Sequence, residues 1–392
     1  MKAIILASGR GTRMKPLTDT TPKPLIKIAG KPIIEHNIEK IHKQVDEIIL
    51  VVKYLSEQFK TYFWDNYKGT KISYHIQGDE KGTGAALWGI DIRDDTILLY
   101  GDSIFEEWDL DSILQLDGYG CLVQKVEQPE KYWIFIQKSD GTAEKVIEKP
   151  SEDYGNLANV WVYKFSGSIF ALVDQIEISE RWEYELTDAV NLFCAWEEFQ
   201  LVQMKGEFID IWYPWQILAA NTYFLDQLTE SQIEWTIEDN VTIKWKIILK
   251  QWAILKSGTY IEWNCIIWED TAIGPNAYIR WNTVIGNSSK VGNAVEIKNS
   301  ALWDISSVAH LSYIWDSIIG NSVNIWWGTI TANVRHDKKN MRCMIDGNLV
   351  DTWLRKLWVI IGDGSKLGIH TDIYPGRVIE TNGSSIPWEI IK

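Results

Sequence analysis

Cysteine is scarce in this sequence of 392 residues, and its four cysteines lie far apart. No two of them form a CxxC pair, so the chain offers neither a disulfide framework nor a cysteine-rich zinc site. Long apolar runs are absent too, since none approaches the roughly 20 residues that a membrane-spanning helix needs. The apolar stretch at residues 3–6 is followed at once by glycine and arginine, unlike a signal peptide. We therefore expect a cytoplasmic protein with no membrane partner.

Positive charge is also in short supply. Lysine and arginine number 39 against 53 aspartates and glutamates, which gives a net charge of −14. General nucleic-acid binding needs a basic face, and this balance argues against it. An anionic substrate would have to be held by a local group of cations.

The chain is long enough for two domains, which we predict at residues 1–230 and 233–392. The first half alternates continuous apolar runs with amphipathic stretches, which is typical of a doubly wound, mainly parallel α/β sheet of Rossmann-like architecture. The predicted strands are 3–6, 48–52 and 97–100, and the predicted helices are 33–44, 57–66 and 215–231. Ligands of such sheets bind beyond the carboxyl ends of the strands.

The second half carries a repeat of six residues. Aliphatic residues recur at Ile237, Ile243, Leu249, Leu255, Ile261, Ile267, Ile273, Ile279, Ile285, Val291 and Ile297, each followed four residues later by a small or β-branched residue. This spacing predicts a β-helix, in which short strands and tight corners enclose a narrow aliphatic core. A β-sandwich would show alternation with irregular turn spacing instead. We predict loops leaving the β-helix at two interruptions of the repeat, residues 302–312 and 333–358.

The loop after the first strand, "LASGRGTRMKPLTDTTPKPL" (6–25), has the composition of a phosphate-binding segment. Gly9 and Gly11 allow close approach of the backbone to a ligand, and Arg10, Arg13 and Lys23 supply positive charge. The segment matches neither the P-loop pattern nor GxGxxG.

This loop resembles the signature of the sugar-1-phosphate nucleotidylyltransferases, and further motifs of that family follow in order: "QGDEKGTGAA" (77–86), "LLYGDSIF" (98–105), "VIEKP" (146–150), "NLANVWVYKF" (156–165) and "FIDIWYPW" (208–215). The resemblance implies catalytic roles for Arg13 and Lys23. It implies nucleotide contacts at Leu6, Ala7, Gly9, Arg10, Gly11, Gln77, Gly82 and Thr83. It implies sugar-phosphate contacts at Gly101, Tyr132, Glu148, Lys149 and Asn159.

Two aspartates complete the expected chemistry of this half. The resemblance assigns Asp102 and Asp210 to Mg²⁺, and two carboxylates at strand ends suit a Mg²⁺ ion that also binds phosphates. Catalysis by positioning and electrostatics then needs no protein nucleophile. Taken alone, either aspartate is better interpreted as a turn or capping residue, and it is their occurrence together in family order that favours the metal site.

Residues 308–340 resemble the acetyltransferase region of archaeal-type bifunctional enzymes that make UDP-N-acetylglucosamine with acetyl-CoA. The resemblance assigns the catalytic base to His310, whose residue type titrates near neutrality. It implies substrate contacts at Arg280, Lys298, Tyr313, Asn324, Asn333, Lys338 and Lys339. It also implies a left-handed β-helix and a homotrimer.

Alternatives to a bifunctional enzyme remain open at this point. One is a glucose-1-phosphate thymidylyltransferase or mannose-1-phosphate guanylyltransferase with a structural β-helix, because base choice rests on few contacts near Gln77. Another is a non-catalytic assembly or regulatory subunit. The presence of Arg13, Lys23, Asp102 and Asp210 counts against the second.

Tryptophan is in unusual excess, with 22 Trp against 16 Tyr and 10 Phe. Many stand where the family has glycine: Trp133, Trp161, Trp212, Trp245, Trp263, Trp268, Trp281, Trp303, Trp315, Trp326, Trp353 and Trp358. A corner that needs positive φ disfavours a bulky aromatic. A genetic code that reads UGA as glycine would produce this replacement and no other. The alternative hypothesis is a divergent relative whose exposed corners tolerate tryptophan.

Overall fold

A computed structural model describes residues 1–332 and 335–392. The chain divides into two compact units, and neither is one continuous stretch. The first comprises Met1–Arg10, Pro22–Leu25 and Ile33–Asp210, and the second comprises Gly11–Thr21, Ile26–Pro32 and Ile211–Lys392. No helix within the described ranges has the length and apolar character needed to cross a membrane.

The first 230 residues contain fourteen strands and six α-helices. The strands are β1 (Lys2–Leu6), β2 (Lys27–Ile28), β3 (Lys31–Pro32), β4 (Glu47–Val52), β5 (Asn66–Tyr67), β6 (Thr70–Ile76), β7 (Thr96–Tyr100), β8 (Ser103–Ile104), β9 (Tyr119–Lys125), β10 (Trp133–Gln137), β11 (Ala143–Glu148), β12 (Leu157–Phe165), β13 (Phe199–Gln203) and β14 (Ile209–Asp210). The helices are α1 (Ile33–Ile41), α2 (Ser56–Phe63), α3 (Glu107–Leu114), α4 (Ser168–Val173), α5 (Leu186–Trp196) and α6 (Gln216–Asp226). The predicted strands and helices are therefore present, with small shifts of their ends.

A ten-stranded sheet forms the centre of the first unit, in the order β11-β10-β12-β7-β1-β4-β6-β5. The central strands β7, β1, β4 and β6 are parallel, whereas β12 joins β7 in the antiparallel sense. Strand β9 also pairs with β12 and carries β13 beside it. The doubly wound α/β prediction is confirmed, and antiparallel pairs occur at both sides of the parallel centre, at β12 beside β7 and at β5 beside β6.

Alternation along β1 explains why both faces of this sheet are covered. Ile5 belongs to one buried apolar cluster, which includes Ile38 of α1, and its neighbour Ile4 belongs to another, which includes Phe193 of α5. Successive residues of a strand point to opposite faces, so a continuous apolar run requires apolar partners on both sides. Helices on both faces supply them.

Glu47 at the start of β4 lies between two lysines on neighbouring strands. Its carboxylate is 2.9 Å from Lys2 Nζ and 2.7 Å from Lys71 Nζ. Burial alone would raise the pKa of Glu47, but hydrogen bonds from Lys71 and Lys2 outweigh it and hold the pKa at about 2. This carboxylate therefore stays ionised in the folded protein well below its ordinary pKa.

We expect Glu47→Gln to lower the free energy of unfolding by about 2 kcal/mol at neutral pH. The folded-state pKa of about 2 lies below the ordinary value of 4.5, so Glu47 contributes fully above pH 4.5 and its contribution fades as the pH falls toward 2. Urea unfolding of both proteins at pH 7 and pH 3 measures this. If the two proteins differ in free energy of unfolding by as much at pH 3 as at pH 7, the prediction is contradicted.

The predicted β-helix is confirmed as three parallel sheets of short strands. The first contains Gln232–Ile233, Ile247–Leu249, Cys265–Ile267, Thr283–Ile285, Ala301–Leu302, Ile318–Ile319, Val359–Ile361 and Arg377–Ile379. The second contains Thr236–Ile237, Ile254–Leu255, Ala272–Ile273, Lys290–Val291, Ser307–Val308, Asn324–Ile325 and Lys366–Leu367. The third contains Thr242–Ile243, Tyr260–Ile261, Tyr278–Arg280, Glu296–Lys298, Tyr313–Trp315, Ile330–Thr331, Asp372–Ile373 and Ile390–Ile391. The six-residue aliphatics form one buried core.

The predicted loop at residues 302–312 is wrong. Leu302 pairs with Ile285, Val308 with Val291 and Ile314 with Ile297, so the coil continues with one residue fewer. The prediction that the repeat is interrupted at 333–358 is confirmed. The described part of this segment contains an antiparallel hairpin, in which Arg342–Ile345 pairs with Asn348–Asp351. The β-helix resumes when Ile361 stacks on Ile319.

Helix α6 packs on the outside of the first β-helix sheet. Leu225 forms an apolar cluster with Ile266, Val284 and Ala29, and the Ala29 amide donates to Asn221 Oδ1 at 2.7 Å. Asn264 Nδ2 donates to the Leu225 carbonyl. These contacts explain why α6 and residues 26–32 group with the β-helix.

The backbone is left-handed at seven tryptophans, with φ between 53° and 66°: Trp64, Trp161, Trp182, Trp252, Trp281, Trp353 and Trp388. Three of them were singled out in the sequence as standing at family glycine positions, namely Trp161, Trp281 and Trp353. Left-handed φ favours glycine and is unusual for bulky residues. Trp245, Trp263 and Trp281 occupy successive coils and form a column of aromatic rings whose centroids are 5.0 and 5.5 Å apart.

Candidate active sites

A lysine and an aspartate meet at the carboxyl ends of the parallel strands in the first unit. The Gly101 amide donates to the Leu6 carbonyl at 2.9 Å, which joins the ends of β1 and β7. Asp102 follows directly, and its Oδ2 is 2.6 Å from Lys23 Nζ. The lysine side chain is 13% exposed and the aspartate 34%, so the pair is reachable by a ligand. A cation and an anion are thus held where ligands of α/β sheets bind.

Asp210 lies on the strand pair next to this contact. β14 runs antiparallel to β8 with Asp210 opposite Ser103, and Ser103 Oγ donates to Asp210 Oδ1 at 3.4 Å. Because Ser103 adjoins Asp102, the two predicted metal aspartates come from adjacent positions of paired strands. Two carboxylates fit Mg²⁺, which takes few protein ligands and completes its shell with phosphates and water. Within the described residues, no cluster of three or more His, Cys, Asp or Glu could hold a metal.

The predicted nucleotide-binding segment after β6 is held against the turn before α5. Gln77 Nε2 donates to the carbonyls of Glu80 and Gly82 at 3.1 and 3.3 Å. Thr83 Oγ1 accepts the Leu186 amide at 3.0 Å. Gly82 has φ of 114°, and a Cβ there would lie 2.2 Å from the carbonyl oxygen of Tyr184. Only glycine fits that position.

The loop after β1 is divided between the units. Gly9 and Arg10 belong to the first, where the Arg10 guanidinium lies 5.4 Å from the Tyr54 ring centroid and Gly9 has open space around its Cα. Gly11 and Arg13 belong to the second. Gly11 has φ of 63° and opens the 3₁₀ turn Thr12–Met14. Arg13 lies over the Trp212 ring at 4.9 Å.

Three aromatic rings lie among the predicted sugar-phosphate residues. Trp161 stacks on Tyr100 at 5.0 Å and meets Trp133 edge-on at 6.0 Å. Trp161 is half-buried and left-handed, and its amide donates to Asn159 Oδ1 at 3.0 Å. Asn159 is buried and donates to the hydroxyl of Tyr163 at 2.5 Å. The rings of Trp133 and Trp161 thus occupy space beside Asn159 that two glycines would leave open.

Glu148 is the last residue of β11 and Lys149 follows it, and an arginine that was not predicted contacts Glu148. Arg181 donates to Glu148 Oε1 and Glu185 Oε1, each at 2.8 Å, and lies over the Trp133 ring. Burial raises the pKa of Glu185, although Arg181 opposes that shift. Lys149 Nζ is 3.8 Å from Glu148. The sequence signal for Arg181 was weak: one arginine in an acidic stretch before α5.

The remaining predicted residue of this group is exposed. Tyr132 is 46% exposed, and its carbonyl accepts the Lys149 amide at 2.8 Å. The structure therefore gathers Tyr132, Glu148, Lys149 and Arg181 around the start of β10 and the end of β11.

A second cluster of charge lies on the third sheet of the β-helix. Arg280, Lys298 and Trp315 are aligned on neighbouring strands. Arg280 Nε is 2.8 Å from Glu296, and its guanidinium lies 4.6 Å from the Trp315 ring centroid. Lys298 Nζ lies 4.4 Å from Trp315 and 4.7 Å from Trp281. Burial lowers the pKa of Lys298, and the nearby carboxylate of Asp316 opposes this.

Arg280 and Lys298, two cations predicted to contact the substrate, therefore lie side by side against tryptophan rings. Tyr313 lies on the same sheet, directly opposite Glu296, and burial raises its pKa to about 12. Asn324 lies on the second sheet, opposite Ser307. Arg280, Lys298 and Tyr313 therefore share a face, whereas Asn324 belongs to a neighbouring one.

His310 lies at the corner between strands Ser307–Val308 and Tyr313–Trp315. It is exposed, and its Nδ1 accepts the Asn293 amide at 3.2 Å. Its predicted setting, a break in the β-helix, is wrong because the coil is regular there. The exposed imidazole nevertheless leaves Nε2 available to a ligand.

Lys338 and Lys339 lie in an exposed turn after strand Ile330–Thr331 of the third sheet. The turn is closed by the ion pair of Arg335 with Asp337, at 2.6 Å, and by the Lys339 amide, which donates to Asp337. The predicted contact Asn333 lies outside the described residues.

Known proteins are similar to this chain over both halves. The model of the family described as nucleotidyl transferase matches residues 2–273, and a model described as the GMPPB C-terminal domain matches residues 261–335. A "bifunctional sugar-1-phosphate nucleotidylyltransferase/acetyltransferase" of Sulfurisphaera tokodaii is 38% identical across 100% of this chain and 97% of its own length. A "bifunctional protein GlmU" of Methanocaldococcus jannaschii is 41% identical across 97% of this chain and 92% of its own length.

A solved structure supports the fold of the first half. A UDP-glucose pyrophosphorylase complexed with UDP-glucose matches 58% of this chain and 99% of its own, with a TM-score of 0.52 and 22% identity. That level of identity speaks for the fold alone.

Proposed function

This chain belongs to the nucleotidyl transferase family, and from that premise we propose that it catalyses two reactions leading to UDP-N-acetylglucosamine. The β-helix half transfers an acetyl group from acetyl-CoA to the amine of glucosamine-1-phosphate. The N-terminal half then joins N-acetylglucosamine-1-phosphate to the uridylyl group of UTP and releases pyrophosphate. The observation that carries the proposal is the Lys23–Asp102 contact at the strand ends, in a chain that matches bifunctional relatives over both halves.

Nucleotidyl transfer requires that negative charge be neutralised as a phosphate oxygen attacks the α-phosphorus of UTP. Lys23 and Arg13 supply positive charge for this step, and glycine-flanked amides of the loop after β1 bind phosphate oxygens. Asp102 and Asp210 would hold Mg²⁺, which neutralises triphosphate charge when bound. The proposed nucleotide contacts are Leu6, Ala7, Gly9, Arg10, Gly11, Gln77, Gly82 and Thr83.

The sugar phosphate is held by residues around β10, β11 and β12. We assign Glu148 to a sugar hydroxyl and Lys149 to the phosphate, because a carboxylate accepts hydroxyl protons and an ammonium group attracts phosphate. The full proposed set is Gly101, Tyr132, Glu148, Lys149, Asn159 and Arg181.

Acetyl transfer requires a base that removes a proton from the sugar amine before the amine attacks the thioester of acetyl-CoA. His310 takes this role, while Arg280 and Lys298 hold the sugar phosphate. Tyr313, Asn324 and Asn333 surround the sugar and the acetyl group. Lys338 and Lys339 reach the substrate of a neighbouring subunit in a homotrimer.

The test is His310→Ala in the full chain, compared with His370→Ala, a partly buried histidine at another β-helix corner. We expect His310→Ala to lower CoA release by about 10²–10⁴-fold, the typical contribution of a general base, and to leave pyrophosphate release unchanged. His370→Ala should leave both rates close to wild type. Equal CoA release by His310→Ala and wild type would remove His310 as the base.

One observation favours a second candidate, a single-function nucleotidyltransferase whose β-helix is structural. Part of the β-helix, residues 261–335, matches a model described as the GMPPB C-terminal domain. The same assay separates the candidates, since wild-type protein that releases pyrophosphate but never CoA would support the single function.

A further inference from the structure

One edge of the β-helix carries a column of Asn and Asp side chains, one from each successive coil. In each case the side-chain Oδ1 accepts the backbone amide of the coil before it. Glu269 donates to Asn287 at 3.2 Å, Asn287 to Asp304 at 2.9 Å, Asp304 to Asn321 at 3.2 Å and Asn321 to Asp363 at 2.7 Å. The column stabilises the corner, and these backbone bonds need one acceptor oxygen per side chain; at Asp363 the second oxygen also accepts Asn321 Nδ2 at 3.0 Å.

Asparagine supplies that oxygen at 287 and 321, so the aspartates at 304 and 363 need a separate reason. Each uses its second oxygen to bind an N-terminal segment of the second unit. Lys27 Nζ is 2.5 Å from Asp304 Oδ2, and Thr20 Oγ1 donates to Asp363 Oδ2 at 2.7 Å. The side chains of Lys27 and Asp304 are each only 23% exposed, so solvent screens this ion pair incompletely.

Two further contacts continue the attachment. Thr381 Oγ1, one coil beyond Asp363, donates to the Pro16 carbonyl at 3.2 Å and to Asp19 at 3.3 Å. Lys15 forms an exposed ion pair with Asp346 of the hairpin at 3.1 Å, which raises the pKa of Lys15. An exposed pair of this kind contributes little, so Asp304, Asp363 and Thr381 carry the attachment. We call these three residues the anchoring strip.

The segment held by the anchoring strip directly follows the residues proposed to bind the triphosphate. Gly11 and Arg13 precede the attached Pro16, Asp19 and Thr20 by a few residues. The Thr18 hydroxyl donates to the Gly11 carbonyl at 2.8 Å and ties the two parts together. Met14 and Leu17 are fully buried in this segment. The position of Arg13 therefore depends on where the β-helix edge holds the segment.

We propose that Asp363, together with Asp304 and Thr381, positions the Arg13 loop for nucleotidyl transfer. The three residues of the anchoring strip are then positioning residues for this reaction, and their contacts with residues 11–21 and 26–32 all lie within the second unit. This inference rests on the proposed function, because it assigns Arg13 to the stabilisation of charge on the triphosphate. Small displacements of such a group lower the rate of the chemical step more than they lower substrate binding.

The experiment compares Thr20→Val with Thr20→Ser in the full chain. Valine removes the hydroxyl that binds Asp363, whereas serine keeps it, and neither residue reacts with substrate. We expect Thr20→Val to lower kcat for pyrophosphate release on the order of 10-fold, with little change in KM for the sugar phosphate, and Thr20→Ser to restore it. CoA release should be unchanged in both.

Asp304→Asn keeps the column of side chains intact but removes the charge that binds Lys27, so it should lower kcat as Thr20→Val does. Asp239→Asn, on an exposed corner, is the control.

Amide hydrogen exchange of residues 11–21 provides a readout independent of activity. Exchange should be faster in Thr20→Val than in wild type and Asp239→Asn. A wild-type kcat in Thr20→Val would overturn the proposal. So would a parallel fall of both activities with a lower Tm, which is the result of a merely structural role. If the wild-type protein releases no pyrophosphate, the proposed function is refuted. Separately, equal amide exchange of residues 11–21 in Thr20→Val and wild type would refute the attachment to the anchoring strip.

Discussion

Glycine in place of four exposed tryptophans, Trp64, Trp182, Trp353 and Trp388, is expected to stabilise the protein by about 4 kcal/mol. All four have left-handed backbones and are 68–82% exposed, so their side chains bury little surface that glycine would lose. Trp64 is the most strained, with φ of 54° and ψ of −139°, a region populated mainly by glycine. Each replacement relieves about 1–3 kcal/mol of backbone strain. This gain exceeds the cost of about 0.5–1 kcal/mol that glycine adds through the conformational entropy lost on folding.

The matched control uses tryptophans that are equally exposed but lie in helices. Trp108 in α3 is 56% exposed and Trp196 in α5 is 82% exposed, and neither has positive φ. Glycine in a helix costs about 0.5 kcal/mol or more relative to these residues, so Trp108→Gly and Trp196→Gly should destabilise. Thermal unfolding should show a rise on the order of 10 °C for the four-site variant and a fall for the control. Equal shifts of the same sign would contradict the argument.

The left-handed backbone at these positions raises the question whether the native protein carries glycine or tryptophan there. If UGA is read as glycine there, mass spectrometry of the native protein will show glycine at position 281 in the peptide that spans residues 279–289. Tryptophan in that peptide would refute the recoding hypothesis and favour tolerance at exposed corners. The enzymatic consequence is local, because Trp281 covers Lys298 at 4.7 Å and Trp161 lies beside Asn159.

Lys23→Met and Asp102→Asn are each expected to lower the rate of nucleotidyl transfer by about 10²–10³-fold. The two groups are 2.6 Å apart at the strand ends. Methionine keeps the length of Lys23 without its charge, and asparagine keeps the shape of Asp102 without its charge. Lys23→Met removes a cation where negative charge is transferred between phosphates, and Asp102→Asn removes a carboxylate that would hold the Mg²⁺ ion. CoA release should be unaffected, because the residues proposed for acetyl transfer belong to the β-helix.

Pyrophosphate release under saturating UTP and sugar phosphate measures this effect. Lys68→Met is the control, since Lys68 also pairs with a carboxylate, Glu39 at 2.8 Å, but on the exposed surface away from the strand ends. It should retain wild-type activity because exposed ion pairs contribute little. Near-normal activity in both Lys23→Met and Asp102→Asn would refute the proposed site.

Local pattern was sufficient to predict the main elements of both halves. Buried parallel strands require continuous apolar residues, so β1, β4 and β7 were visible in the sequence. The β-helix was visible because each coil returns an aliphatic residue to the same narrow core. The six-residue spacing gave a wrong prediction at residues 302–312. The core depends on which residues stack, and Leu302 stacks on Ile285 although this coil is one residue shorter.

The unpredicted parts are contacts between residues far apart in the chain. Arg181 reaches Glu148 across 33 residues, and Thr20 reaches Asp363 across 343. No periodicity links such positions, because each partner is locally an ordinary polar residue in a loop or corner. Only the fold brings them together, so neither Arg181 nor the anchoring strip could be found from the sequence.

The attachment of the loop after β1 also sets an order of events during synthesis. Thr381 binds Pro16 across 365 residues, so the ribosome must release almost the whole chain before this contact can form. The first sheet can fold while translation continues, since its strands all precede residue 204. The segment after Gly11 must wait for the last coils of the β-helix. Nascent chains that stop before Asp363 will therefore contain every residue proposed for nucleotidyl transfer and still lack its final arrangement.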